Sequence, residues 1–248
     1  AGKTIMTTEP KFVPATAASI QIDDFSASIR MVDCVGYVID AAKGYEDENG
    51  PRMVMTPWYS EPIPFVEAAE IGTEKVIKEH STIGIVMTTD GSIGDIPRNE
   101  YVSAEEQVVE ELKSIGKPFI VILNSVHPML PETENLANKL KESYGVPVLP
   151  ISVENMNEKE MYAILKEALF EFPIEGVKIN IPEWIAILNH EHYLKKEYIS
   201  RIKNSVIEIN KLRDIDSITN GFKDCEYIDK SYISNVDTSL GEVTLQLD

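Results

Sequence analysis

Cysteine is scarce in this chain, with only Cys34 and Cys225 among 248 residues. Two thiols make no disulfide scaffold, and a chain of this length buries a core without staples, so reduced cysteines and an intracellular setting are expected. Basic side chains are in deficit, 23 against 41 acidic ones, for a formal net charge of -18. That balance repels nucleic acid and anionic lipid at long range, so no nucleic-acid partner is expected and membrane association falls to a partner protein. Long apolar runs are missing too. A stretch such as FIVIL is far too short to cross a bilayer, and the first residues lack the basic-then-apolar order of a secretory signal, which predicts a soluble chain. There is no internal repeat and no low-complexity segment. No methionine opens the chain, and Ala1 drops straight into a patterned segment, so a piece of a longer protein is expected.

What is present is an alternation of short apolar runs and amphipathic segments. TIGIVMTTD (82–90) reads as a strand, and SAEEQVVEELKSIG reads as a helix capped by Ser103 with Glu106, carrying Val108, Val109, Leu112 and Ile115 and stopping at Gly116. PFIVILNSV (118–126) follows, then a helix opened by Pro131, with Leu136, Leu140 and Tyr144 on one face and Gly145 as its stop. VPVLPISV (146–153) precedes a third helix, capped by Asn157 with Glu160 and buried along Met161, Ile164, Leu165, Ala168 and Phe172. Such units predict an α/β fold, a mostly parallel sheet with helices on both faces, whose ligands bind at the carboxyl ends of the strands.

Upstream, ASIQI and ASIRMVDCV read as two strands joined across DDFS, and residues 36–64 as a long loop. FVEAAEIGTEKVIKEHS reads as a helix on Val66, Ala69, Val76 and Ile77. Beyond a boundary near Ile174 come a short strand GVKINIP, one long helix over 183–215 with Trp184, Leu188, Tyr198, Ile202, Ile209 and Leu212 inward, and a strand EVTLQL. This second piece reads as the beginning of an α+β domain.

Several segments invite chemistry. AGKT matches the end of a G-x-x-x-x-G-K-[ST] phosphate loop, yet that loop must open a helix, and the β-branched residues with Pro10 and Pro14 forbid one. IRMVDCVG sets Asp33 at the end of an apolar strand and Gly36 three residues on, the D-x-x-G pattern of phosphate-loop hydrolases. There the aspartate orients a water on Mg²⁺ and the glycine N–H approaches the terminal phosphate. An ordinary strand-ending turn reads the same way. LNSVHP ends a later strand where guanine-nucleotide hydrolases carry N-K-x-D. Asn124 matches, but Ser125 replaces the lysine and His127 the guanine-reading aspartate, which favours adenine or no base preference. In PISVE, Ser152 matches a short loop beside the base. His190 and His192, two apart on a helix, point away from each other and exclude a shared metal.

Read in order, TTEPKFVP, VDCVGY, AKGYEDENGPRM, TPWYSEPIPF, AAEIGTEKVI, TTDGSIGDI and GKPFIVILNSVHP resemble the stage IV sporulation protein A family, the coat-morphogenesis ATPases of endospore-forming bacteria. The resemblance covers residues 1–173 and continues more weakly to the end. It implies a phosphate-loop hydrolase fold like the translation-factor GTPases, with an ATPase domain over 1–173 and the start of a middle domain over 174–248. It also implies ATP and Mg²⁺ as cofactors, and turnover coupled to self-assembly of the spore coat basement layer. The expected place is the mother-cell cytoplasm, peripherally on the forespore outer membrane and in the coat.

The implied partners are copies of itself, other coat morphogenetic proteins and, through a C-terminal domain outside this sequence, a small amphipathic membrane peptide. The resemblance puts the first strand and the phosphate loop upstream of Ala1, so these residues alone are expected to be inactive. Thr7 and Thr8 inherit the switch threonines that sense the γ-phosphate, and Thr8 with Asp33 is the metal candidate. Asp33 inherits the Walker B role, Gly36 the γ-phosphate contact, and Asn124 and Ser152 the base pocket. Tyr37 stands where a water-positioning glutamine or histidine would follow Gly36, so slow hydrolysis is expected. Two readings compete with this one: a non-catalytic scaffold using 36–64 as an interaction surface, and a GTPase, which Ser125 and His127 disfavour.

Overall fold

The computed structural model describes residues 11–23, 25–39, 41–47, 50–206, 209–222, 227–237 and 240–248. These fall into two compact units, one of residues up to Ala18 with Ile29–Ala168, the other of Ser19–Ser28 with Leu169–Asp248.

Strands β1 (Lys11–Ile22) and β2 (Phe25–Asp33) pair as a two-stranded sheet and turn at Asp23, whose φ of 46° is left-handed. Both expected strands exist. β1 starts earlier than the sequence pattern suggests, and β2 stops at Asp33, short of Val35. The 36–64 segment carries only two-residue strands: β3 (Glu46–Asp47) against β4 (Gly50–Pro51), and β5 (Met53–Val54) against β6 (Ile63–Pro64). Helix α1 (Phe65–Lys75) buries Phe65, Ala68, Ala69, Gly72 and Thr73, the i, i+3, i+4, i+7, i+8 stripe of an amphipathic helix, and runs on as one wider turn to His80.

The central sheet follows: β7 (Gly84–Thr89), α2 (Val102–Ser114), β8 (Phe119–Asn124), α3 (Pro131–Tyr144), β9 (Val148–Ile151) and α4 (Glu158–Phe170). The strands lie parallel in the order β7-β8-β9, with Thr89 opposite Asn124 and Asn124 opposite Ile151 at their carboxyl ends. Alternation along β8 builds the two faces. Phe119, Val121 and Leu123 pack with Val109 and Leu112 of α2 and Ala137, Leu140 and Tyr144 of α3, whereas Ile120 and Ile122 pack with Ile164 and Ala168 of α4. This is the expected parallel sheet covered on both faces. Among the described residues the β1–β2 hairpin is a separate sheet, not hydrogen-bonded to it.

Helix signals fare unequally. Pro131 opens α3 and Gly145, at φ 68°, ends it. The Asn157–Glu160 box forms reciprocally: Asn157 Oδ1 accepts from Glu160 N at 3.1 Å, and Glu160 Oε2 accepts from Asn157 N at 2.9 Å. The Ser103–Glu106 box does not form. A 3₁₀ turn over Arg98–Tyr101 runs directly into α2, so Tyr101 takes the cap position and Ser103 lies inside the helix.

Gly91 holds φ at +88°, and a Cβ there would meet Arg98 N at 2.7 Å. Gly91→Ala is expected to cost about 2–3 kcal/mol, read as a lower melting temperature, because it combines left-handed strain with a backbone clash.

In the second unit, β10 (Gly176–Asn180) leads into α5 (Glu183–Ala186), α6 (Tyr193–Ser205), α7 (Ile215–Phe222), β11 (Ser231–Asp237) and β12 (Glu242–Leu247). The sheet order is β10-β12-β11, β10 parallel and β11 antiparallel to β12. The single helix expected over 183–215 is broken. Lys195 Nζ donates to the carbonyls of Ala186 at 2.7 Å and Leu188 at 2.8 Å, satisfying the end of α5, and His192 Nδ1 accepts from Leu194 N at 3.3 Å to cap α6. Trp184 is therefore exposed instead of inward, while Tyr198 and Leu212 are buried as expected. His190 and His192 lie in this turn and not on a helix, so the helical argument against a shared metal does not apply. Among the described residues no group of three His, Cys, Asp or Glu side chains is placed to hold a metal ion.

Candidate functional site

The carboxyl ends of β7, β8 and β9 gather a set of short polar side chains. Asn124 ends β8 and is half-buried; its Oδ1 accepts from Val153 N at 3.1 Å, tying β8 to the turn after β9. Among the described residues its amide nitrogen donates to nothing. Ser152 opens that turn and its Oγ accepts from Asn155 Nδ2 at 3.1 Å. Asn124 and Ser152 are thus brought side by side, as two residues flanking one ligand must be.

Beneath them lies a hub that the sequence reading missed. Asp90 follows β7; its Oδ1 accepts from Ser92 N at 2.9 Å and Ser92 Oγ at 2.5 Å, and its Oδ2 from Thr133 Oγ1 at 3.2 Å. In turn, Ser92 Oγ accepts from Val126 N at 2.9 Å and Ser125 Oγ from His127 N at 3.0 Å. The signal was available in Asp90-Gly91-Ser92, whose order is that of a side-chain-capped turn.

Burial raises the Asp90 carboxyl pKa, but the polar groups of Ser125, Ser92 and Thr133 around it outweigh that and hold the group below the usual carboxylate range. A depressed folded pKa adds stability that is present above the unfolded value near 4 and is lost as pH falls through the folded one. The stability gap between the wild type and Asp90→Asn, measured by urea unfolding, is therefore expected to stay level from about pH 7 to 5 and to shrink below about pH 4.

Asp33 stands at the tip of β2, exposed and without a hydrogen bond or ion pair among the described residues. Gly36 follows at φ +81°, with open space where a Cβ would project. Tyr37 does not face a ligand: its hydroxyl donates to Glu111 Oε2 on α2, and burial, reinforced by Glu111, pushes its pKa upward. A cavity of about 250 Å³ lies between the 37–45 loop, α1 and α2, lined by Tyr37, Ile39, Tyr45, Glu70 and Gln107. None of the strand-end residues lines it. No hydrogen bond or ion pair among the described residues joins Asp33 or Gly36 to Asn124 or Ser152, so the candidates form two groups, one on each sheet. Thr7, Thr8 and Cys225 lie outside the described residues.

An aspartate and glycine at one strand tip suit a hydrated divalent cation and a phosphate oxygen. Asp33 is an uncommitted carboxylate, which fits Mg²⁺, since that ion keeps most of its waters and takes few protein ligands. Among the described residues no helix is long and apolar enough to cross a membrane.

The family model for the ATPase domain of stage IV sporulation protein A matches residues 1–173, and the model for its middle domain matches 174–248. Over all 248 residues the chain is 54% identical to stage IV sporulation protein A of Bacillus anthracis and 53% identical to that of Bacillus subtilis (strain 168). It is 47% identical to that of Clostridioides difficile (strain 630). In each case 100% of this chain aligns with 50% of the relative, so the chain spans about half the length of the curated relatives it matches. No solved structure matches it. The chain belongs to the stage IV sporulation protein A family.

Proposed function

We propose that the intact protein acts in sporulation as a Mg²⁺-dependent ATP hydrolase that couples turnover to its own polymerisation into the basement layer of the spore coat. The observation that carries this reading is the match of an ATPase-domain family to a segment whose D-x-x-G turn and polar strand ends suit a nucleotide. Its fold is related to the translation-factor GTPases. It works in the mother-cell cytoplasm at the forespore outer membrane. There it meets other coat morphogenetic proteins and, through a C-terminal domain, a small amphipathic membrane peptide.

Attack of water on a γ-phosphate is chiefly a matter of positioning and charge stabilisation. When bound, Mg²⁺ supplies positive charge at the phosphate oxygens. Asp33 and Thr8 would hold the metal, Thr7 or Thr8 would sense the γ-phosphate, and the Gly36 N–H would be free to donate to it. Asn124 keeps an amide free to donate, and with Ser152 it flanks the base. Guanine is disfavoured because Ser125, fully buried, stands in place of the lysine and His127 offers no carboxylate. No G-x-x-x-x-G-K-[ST] occurs in these 248 residues, so the phosphate lysine belongs elsewhere in the intact protein and the isolated segment does not turn over.

One observation favours a second reading, a non-catalytic scaffold of the coat: Tyr37, next to Gly36, is held by Glu111 and positions no water. Phosphate release from ATP and GTP by the intact protein, measured alongside sedimentation of polymer, separates the two. Release from ATP that falls with Thr8→Ala supports the enzyme. Polymer that forms without release, unaffected by that change, supports the scaffold.

A further inference from the structure

The polar side chains at the carboxyl end of the central sheet converge on one acid. A carboxylate offers about four acceptor sites, and three donors reach Asp90: Ser92 N, Ser92 Oγ and Thr133 Oγ1. A serine has a single O–H to give. Ser92 gives its own to Asp90, and so turns a lone pair toward the next loop, where Val126 N donates to it. A relay results, backbone N–H to hydroxyl to carboxylate, and it ends on the loop that follows Asn124. Within that loop Ser125 Oγ accepts from His127 N. Thr133 adds a second strut to Asp90 from the first turn of α3.

Position gives this hub its meaning. Asn124 is the last residue of β8, hydrogen-bonded at Oδ1 to the Ser152–Val153 turn, and the residues just after it are those the Asp90 relay fixes. Ser92 is exposed, so the relay lies at the surface, whereas Ser125, in the loop it reaches, is fully buried. Without Asp90 the Ser92 hydroxyl has no acceptor, and the Val126 amide loses the group that sets its direction.

We infer that Asp90 is the positioning residue of the nucleotide-base pocket: through Ser92 and Thr133 it fixes the loop after Asn124, and thereby sets both the affinity for ATP and its preference over GTP. This rests on the ATPase reading above. Asp90 itself touches no nucleotide. Its loss is therefore expected in binding and selectivity, with the chemical step at Asp33 left alone.

The test uses the intact protein with ATP and GTP as probes, and phosphate release analysed for KM and kcat separately. Asp90→Ala is expected to raise KM for ATP about tenfold, to leave kcat within about twofold, and to lower the ATP-over-GTP preference by a similar factor. Ser92→Ala, at an exposed position and cutting the relay only, is expected to raise KM about threefold with an unchanged melting temperature. It keeps the inference testable if Asp90→Ala does not fold. KM unchanged in Ser92→Ala, or a loss confined to kcat in a folded Asp90→Ala, overturns the inference and leaves the ATPase reading standing. A wild type that releases phosphate from neither nucleotide overturns both.

Discussion

Replacing Asp33 by alanine in the intact protein is expected to lower ATP hydrolysis on the order of 100-fold, about 2.7 kcal/mol of transition-state stabilisation, while leaving the fold intact. The two halves of that expectation come from different observations. Asp33 is exposed at the tip of β2 and makes no hydrogen bond or ion pair among the described residues, so its removal breaks nothing that holds the chain together. A surface change of that kind ordinarily stays within about 0.5 kcal/mol of wild-type stability. An exposed carboxylate at a strand tip, three residues before a glycine at φ +81°, is nonetheless suited to orient a water of a phosphate-bound Mg²⁺. Steady-state phosphate release paired with thermal unfolding checks both halves. Equal release by wild type and Asp33→Ala would remove this residue from the site.

Arg98→Ala is expected to have the largest effect on stability, about 3–4 kcal/mol, because it strands a buried charge. The Glu105 side chain is 2% exposed, and its Oε1 accepts from Arg98 Nη2 at 2.8 Å and from Tyr144 Oη at 2.6 Å. Its Oε2 has no hydrogen-bond partner among the described residues. Burial, then Glu105, push the Tyr144 pKa upward, so that hydroxyl stays a donor over the ordinary pH range. Tyr144 alone leaves the carboxylate with one hydrogen bond and no counter-charge. Arg98 Nη1 also reaches Thr88 Oγ1 at 3.3 Å, so its loss loosens the end of β7 as well.

For a chain of this size, the melting temperature of Arg98→Ala is expected to drop by roughly 6–15 °C. The double variant Arg98→Met with Glu105→Leu is expected to recover most of that, since a buried pair replaced by apolar groups costs little. A drop within about 2 °C for Arg98→Ala would mean that water reaches Glu105.

The sequence is most legible where local chemistry and tertiary packing agree. The three strand-helix units are read correctly because β8 is apolar at every position before Asn124 and each helix carries a stripe at helical spacing. Pro131 and the Asn157–Glu160 pair open their helices and Gly145 ends one, as their local preferences dictate. It is least legible where a distant side chain decides. The helix expected over 183–215 breaks because Lys195 reaches back to the Ala186 and Leu188 carbonyls, a contact that periodicity does not report. Ser103 fails to cap because a 3₁₀ turn arrives first.

At the site, Asp33, Gly36, Asn124 and Ser152 stand out in sequence through their places at strand ends. Asp90 does not, because its importance lies in Thr133, 43 positions away, and only folding brings that residue to it. The departure of Ser125 from N-K-x-D acquires a physical sense in the same way. It is fully buried, with its Oγ accepting from His127 N, a place that a lysine side chain does not fit.

The central claim is that the carboxyl ends of β8 and β9 hold the base of ATP. Photolabelling of the intact protein with 8-azido-ATP in the presence of Mg²⁺, followed by peptide mapping, tests it most directly. Labelling is expected on peptides spanning residues 124–128 or 152–157, suppressed by excess ATP and little affected by the same concentration of GTP. Label confined to other peptides, or displaced more readily by GTP than by ATP, would contradict it.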